Sequence, residues 1–421
     1  MKSNNLNKLI SQTKSASTAL LCLDARKRKR VLLNLAKLIS QNQNSIIRAN
    51  LKDIAKSRRN NKSESFIERL SLDRNKIEAM AVSLKQIAGK SDTLFKTIKQ
   101  FTGPSGINIE KVVFPLGLIA MIYESRPNVT IDAFALCFKS GNAVILKGGI
   151  EITNTNKILV SLIKKILAHA GIDKNIVLDL SSLERKATLD LVKNQQIDCL
   201  IPRGGKGLIS FVKENAKVPV IITGASVVHA YVDASANLSL AKKVIINAKT
   251  RRVSICNTLD VVILHKNIYE KFLKIIAPEL AQRKVEIRAD QKSYTALKKL
   301  NYQKLKKAAS QDFDTEFLDY ILTIKVANNF NQALNHIKRH SLGHSEAIIT
   351  KSKKQAAQFF KQIDAACLYL NTSTQFSDGG EYGLGGEIGI STQKLHARGP
   401  FANEELTTYK YLVKSQGLIR K

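Results

Sequence analysis

Hydrophobic spacing divides the chain into two regimes. Residues 1 to 100 carry apolar positions at three-to-four spacing, as in "DARKRKRVLLNLAKLISQNQ" and "DRNKIEAMAVSLKQIAG". That spacing lays one apolar stripe along a helix, so this stretch reads as helical. From Lys111 the pattern changes. "KVVFPLGLIAMIYE" and "NAVILKGG" read as buried strands. "TNTNKILVSLIKKILAHAG" reads as a helix with a Thr/Asn start and a stop at Gly171. Then come strand "NIVLDL", helix "LERKATLDLVKN", strand "DCLIP", helix "KGLISFVKEN" and strand "VPVIIT".

A second alternating series follows: "TLDVVILH", "NIYEKFLKIIAPELAQ", "YILTIKVAN", "NFNQALNHIKRH", "SEAIIT", "KKQAAQFFKQI" and "ACLYLNT". Strands alternating with helices imply a parallel sheet covered on both faces. The expected class is therefore α/β, with two parallel-sheet domains. No linker marks the boundary, which is placed near Lys249 because Cys256 opens the second series. The divisions are then 1–249, 250–372 and 373–421.

Composition narrows the classes. Apolar residues make up 44% of the 421 positions, enough for a sizeable core. No run of about 18 apolar residues marks a membrane span. The start, "MKSNNLNKLISQTKSAST", lacks the apolar stretch of a signal peptide, so a cytoplasmic protein is expected. Cys22, Cys137, Cys199, Cys256 and Cys367 are far apart with no C-x-x-C pair, which argues for free thiols and against structural zinc. The net charge of +33 raises nucleic acid as a partner. Its basic residues are dispersed, however, and "RKRKR" falls within an amphipathic helix, so no nucleic-acid function is expected.

Four features are candidates for chemistry. "IPRGGKGLI" is a strand end, a glycine turn and a helix start, where free N–H groups and Arg203 suit an anion; an ordinary tight turn has the same pattern. Neither the G-x-G-x-x-G nor the P-loop fingerprint is present. "SDGGEYGLGGEIGI" is too rich in glycine for a plain loop and suggests close ligand approach, or surface flexibility. His336, His340 and His344 recur at helical spacing. Gly343 interrupts them and no local carboxylate completes a metal site, so none is expected. Cys256, in "RRVSICNTLD", is either a buried filler or a nucleophile whose thiolate Arg251 and Arg252 would favour.

Five stretches decide the matter by likeness. "YESRPNVTIDAFALCFKSGNAVILKGG", "IPRGGKGLI", "VHAYVD", "NAKTRRVSICNTLDVVIL" and "DGGEYGLGGEIGISTQKLHARGP" resemble, in order and over nearly the whole chain, the gamma-glutamyl phosphate reductases. These glutamate-5-semialdehyde dehydrogenases belong to the aldehyde dehydrogenase superfamily. The resemblance implies reduction of gamma-glutamyl phosphate by NADPH, with release of phosphate, in proline biosynthesis from glutamate. It implies a Rossmann-like cofactor domain without the glycine fingerprint, a catalytic domain and a small β oligomerisation element. That element would comprise a hairpin near Thr102 to Val113 and the tail "TTYKYLVKSQGLIRK". A homo-oligomer and functional coupling to glutamate 5-kinase are expected with it.

The same likeness assigns residues. Cys256 matches the nucleophile and Asn128 the oxyanion donor. Lys147 matches the contact to the adenosine ribose, and Glu316 the holder of the nicotinamide ribose. Arg203, Gly204 and Gly205 would lie near a cofactor or substrate phosphate. Four positions depart from the family: Val253 replaces proline, Ser226 glycine, Val228 cysteine and Gln375 arginine. The loss of a cation at 375 is the most serious for an anionic substrate. It bears on efficiency more than on reaction type; the alternatives are another phosphorylating or acylating aldehyde dehydrogenase and, because of these departures, a weakened paralogue serving as a binding protein. Finally, "VPVIITGASVVHAYVD" has no glutamate to activate water, as expected if phosphate rather than water exchanges with the thioester.

Overall fold

The computed structural model of the protein describes residues 3–183 and 185–420. The chain forms two compact units, one of Met1–Thr223, Gly383–Gly389 and Pro400–Lys421, the other of Gly224–Tyr382 and Ile390–Gly399. Among the described residues no helix is long and apolar enough to cross a membrane.

The first unit opens with helices Ser3–Ser17, Ala25–Gln41, Gln43–Arg59 and Arg74–Gly89. Asp24 and Asp73 cap two of them by accepting the N–H of Lys27 and Lys76. Its core is a four-stranded parallel sheet in the order Val177–Asp179, Ala143–Gly148, Leu118–Tyr123, Cys199–Arg203. The central two strands are buried along their whole length, which is why they read as continuous apolar runs. A separate three-stranded antiparallel sheet joins Thr97–Thr102, Asn108–Pro115 and the late strand Thr407–Lys414. The hairpin expected near Thr102 to Val113 is thus present, paired with the tail.

Two expected strands differ. "KVVFPLGLIAMIYE" is two strands in two sheets, broken at Gly117, whose φ is +122°. A Cβ at Gly117 would meet the Asp198 carboxylate at 2.2 Å, and that carboxylate accepts the Leu118 N–H at 2.7 Å. "VPVIIT" is no strand; it makes a single bridge from Val220 to Leu200. Pro219 has no N–H to extend a ladder and offers only its carbonyl, to Leu200.

The second unit is built on a seven-stranded parallel sheet. Its order is Leu305–Lys307, Glu286–Ala289, Ile321–Ala327, Leu259–His265, Val228–Val232, Ser345–Ile349, Cys367–Leu370. Alternate side chains feed two cores. Val228, Ala230, Val262 and Leu264 pack with helices Leu238–Thr250 and Tyr269–Gln282, while Tyr231, Val261 and Ile263 pack with Phe330–His340 and Lys353–Gln362. The division at Thr223–Gly224 lies 26 residues before Lys249, because Val228–Val232 bonds to Leu259–His265 and Ser345–Ile349. A short strand–helix–strand insertion, Glu286–Ala289, Gln291–Lys299 and Leu305–Lys307, escaped the sequence reading; its strands are only four and three residues long.

Candidate active site

Cys256 lies in the turn between helix Leu238–Thr250 and strand Leu259–His265 and is partly exposed. Its setting differs from that of the other cysteines. Cys137, Cys199 and Cys367 are buried, and Cys22 is exposed. Burial pushes the Cys199 thiol up to about 12 and raises that of Cys137 further, so neither serves as a thiolate.

The turn is held by its neighbours. Asn257 is buried and donates its amide to the carbonyls of Ser377, at 2.9 Å, and Gln375, at 3.3 Å. Thr374 donates back to the Asn257 carbonyl at 2.8 Å. Thr258 donates to the carbonyl of Arg252 at 2.7 Å, closing the turn on itself. Ser226 donates its hydroxyl to the Cys256 carbonyl and also lies 3.2 Å from Glu316 Oε1. One hydroxyl therefore links two residues that the sequence assigned 60 positions apart.

Beneath this group Asp260 accepts the N–H of Val228 and of Phe317, each at 3.2 Å. It thereby ties down the residue after Glu316 and the strand beginning next to Ser226. Burial raises the Asp260 carboxyl to about 6, with Lys249 opposing that rise. Burial likewise lowers the ammonium of Lys249 to about 8, with Asp260 opposing it. Lys249 is fully buried and donates to the Leu259 carbonyl at 3.0 Å. Sequence reading missed Asp260 and Lys249; Asp260 left a signal, a lone charge in the apolar run "TLDVVILH", whereas Lys249 is one of several basic residues in its stretch.

The other assigned residues belong to the first unit. Tyr123 ends the central strand and pairs in register with Gly148 on one side and Arg203 on the other. Lys147 and Arg203 therefore stand near the carboxyl ends of strands flanking the central one, where open α/β sheets bind ligands. Lys147 is buried, donates to the Gly148 carbonyl at 2.9 Å, and has its ammonium lowered by burial. A Cβ at Gly148 would meet Asn156 Nδ2 at 2.5 Å, so the strand end is cramped and only glycine fits.

Gly205 caps helix Lys206–Asn215, and its amide donates to Glu124 Oε2 at 3.1 Å. The anion at this helix start is thus the protein's own carboxylate. Glu124 also fills the space above Gly204, where a Cβ would lie 2.6 Å from its carboxyl carbon. Arg203 points at Glu387, 3.9 Å away, while its buried Nε has no hydrogen-bond partner among the described residues. An unsatisfied buried donor beside a helix start fits a phosphate-bearing nicotinamide cofactor.

Asn128 is exposed at the first position of helix Asn128–Lys139 and donates to Asp132 Oδ2 at 3.2 Å. Ser83 donates to the other oxygen of Asp132 at 3.1 Å, and burial raises that carboxyl. In the glycine-rich stretch Gly385 has φ +80°, and a Cβ there would meet the Gln86 backbone at 3.0 Å. This part of the stretch lies against its own unit's helix Arg74–Gly89. Among the described residues no group of three or more His, Cys, Asp or Glu gathers as a metal site. His336 packs against His229, Phe313 and His340, and burial lowers it to about 2.

Comparison with known proteins places this arrangement. The sequence model of the aldehyde dehydrogenase family matches residues 1–312. A gamma-glutamyl phosphate reductase of Caldanaerobacter subterraneus subsp. tengcongensis is 44% identical over 411 residues, 97% of this chain and 98% of that protein. The gamma-glutamyl phosphate reductase of Francisella philomiragia subsp. philomiragia is 44% identical over 97% of both chains. The crystal structure of the gamma-glutamyl phosphate reductase of Thermotoga maritima superposes with a TM-score of 0.94 at 38% identity, covering 98% of this chain and 99% of that one. The chain therefore belongs to the aldehyde dehydrogenase family and, within it, to the gamma-glutamyl phosphate reductases.

Proposed function

We propose that this chain is an oxidoreductase that reduces gamma-glutamyl phosphate to glutamate 5-semialdehyde and releases phosphate, using Cys256 as nucleophile and NADPH as cofactor. The observation that carries this reading is the setting of Cys256: a partly exposed thiol on a turn fixed by Asn257, Thr258 and Ser226. The Cys256 thiolate attacks the acyl carbon, the bond to the phosphate oxygen breaks, and a thioester forms. The bound cofactor supplies the hydride. The resulting thiohemiacetal collapses, returning the thiolate and freeing the aldehyde. Asn128 takes the role of oxyanion donor on the strength of its "SRPNVT" motif. Lys147 and Glu316 are assigned to the two riboses, and Arg203, Gly204 and Gly205 to a phosphate of the cofactor or substrate.

The acyl phosphate is a reactive anhydride, so an ATP-dependent kinase acting on glutamate must supply it close by. That supports coupling to glutamate 5-kinase and a cytoplasmic setting. Self-association is supported by the three-stranded sheet, where Ile98, Phe101, Tyr409, Tyr411 and Val413 are exposed.

The experiment is NADPH consumption with gamma-glutamyl phosphate generated in situ by glutamate kinase, for the native chain and Cys256→Ala. The native chain should turn over and the variant should not. Turnover by the alanine variant would dismiss Cys256 as nucleophile.

A further inference from the structure

The side chain of Gln375 is buried, 4% exposed, in the short helix Thr374–Phe376. Its amide nitrogen faces three acceptors, all on the segment that carries Cys256. These are the Ala248 carbonyl at 3.1 Å, the Arg252 carbonyl at 3.3 Å and the Thr258 hydroxyl oxygen at 3.3 Å. Its amide oxygen accepts from Arg251 Nη1 at 3.3 Å. Ala248 lies in the last turn of the helix before the nucleophile, where carbonyls lose their helical partners. Thr258 is the last residue before the strand that follows. The two hydrogens of a single amide are therefore shared among acceptors at both ends of the turn and one within it.

We infer that Gln375 is a positioning residue for catalysis: it clasps the Arg251–Thr258 turn and so fixes where the Cys256 thiolate stands. The backbone around it reinforces the grip, since the Gln375 carbonyl accepts from Asn257 and Thr374 donates to Asn257. A neutral amide suits this place for a physical reason. Its acceptors are buried and largely uncharged, so a carboxamide satisfies them without bringing a charge out of water. The cation at this corner is Arg251, which Gln375 orients through its oxygen. The neutral residue at 375 thus need not be a defect in the site. A displacement of the nucleophile of about 1 Å costs up to ~100-fold in rate, which sets the scale of the effect.

The inference rests on Cys256 being the nucleophile, and the two are separable. Gln375→Met keeps the volume and removes every polar atom. Expected for Gln375→Met is a fall in kcat of roughly 10- to 100-fold, with the KM for NADPH within about twofold. The rate of Cys256 alkylation by iodoacetamide should shift several-fold while the circular dichroism spectrum stays native. Wild-type kcat and alkylation in Gln375→Met would overturn the clasp. Cys256→Ala, run alongside, tests the nucleophile alone: its activity would overturn that reading whatever position 375 does. Should Gln375→Met not fold, hydrogen exchange on the native chain decides. The amide of Thr258, which donates to the Ile255 carbonyl at 3.1 Å, should exchange as slowly as those of helix Leu238–Thr250, and exchange at the rate of an open turn would defeat the clasp.

Discussion

The amide of Gly205 donates to the carboxylate of Glu124 at 3.1 Å, so the helix start that the sequence offers to a phosphate already carries an anion. A cofactor phosphate bound there must share or displace it. Repulsion between two such charges at a few ångström, partly solvated, is on the order of 1 kcal/mol. Glu124→Gln should therefore tighten NADPH binding roughly fivefold, measured by fluorescence titration. Unchanged or weaker binding would place the cofactor phosphates elsewhere.

Asn128 projects from the first position of its helix with its amide turned by Asp132. An oxyanion donor acts only once charge develops on the carbonyl. Asn128→Ala should thus lower kcat by roughly 100- to 1000-fold and leave the KM for NADPH within about twofold. A loss confined to that KM would assign Asn128 to the cofactor instead.

The segment before the nucleophile leaves little room for a general base. Thr223 is buried and donates to the Pro202 carbonyl at 2.9 Å, and a Cβ at Gly224 would meet Thr392 Oγ1 at 2.6 Å. With no glutamate in that segment to activate water, the thioester should wait for phosphate. Oxidation of glutamate semialdehyde should depend on added phosphate or arsenate, read as NADP reduction. Sustained turnover to free glutamate in phosphate-free buffer would refute the phosphorylating route.

Lys249 and Asp260 make a pH-dependent contribution of opposite signs. A buried lysine lowered to about 8 binds its proton less well folded than unfolded. The unfolded chain then holds more protons between pH ~8 and ~10.4, and stability rises across that window. Asp260, raised to about 6, works the other way, so stability falls as pH rises from ~4 to ~6. Urea midpoints should show the native chain gaining on Lys249→Met between pH ~8 and ~10. Parallel curves over that range would mean that Lys249 binds its proton as strongly folded as unfolded.

The parallel sheets were legible because their strands are buried on both faces and so read as unbroken apolar runs, as in "AVILKG" and "LDVVILH". The turn at Cys256 was legible through its motif. Contacts across the sequence were not. Nothing near Gln375 points to Ala248 or Arg252, more than 120 positions earlier. Read from the sequence, position 375 is a lost cation; in the fold it is a buried donor. Ser226 likewise gains its meaning only when the strand it precedes lies beside the one that follows Cys256. The compact units divide at Thr223–Gly224 and not near Lys249 for the same reason: Val228–Val232 looks like any strand until its neighbours are known.

The strand Thr407–Lys414 pairs with Asn108–Pro115, so about 290 residues must be made between the two halves of one ladder. At roughly 5–20 residues per second, the early strand leaves the ribosome some 15 to 60 seconds before its partner exists. Residues 224–382, which form nearly all of the other unit, are complete 25 residues before the strand Thr407–Lys414 begins. Synthesis therefore imposes an order: the unit that begins second can finish first, and the unit that begins first is closed by the last residues made. Throughout that interval Asn108–Pro115 has an unsatisfied edge. The nascent chain, more than the finished protein, is the species most exposed to mispairing with its own copies.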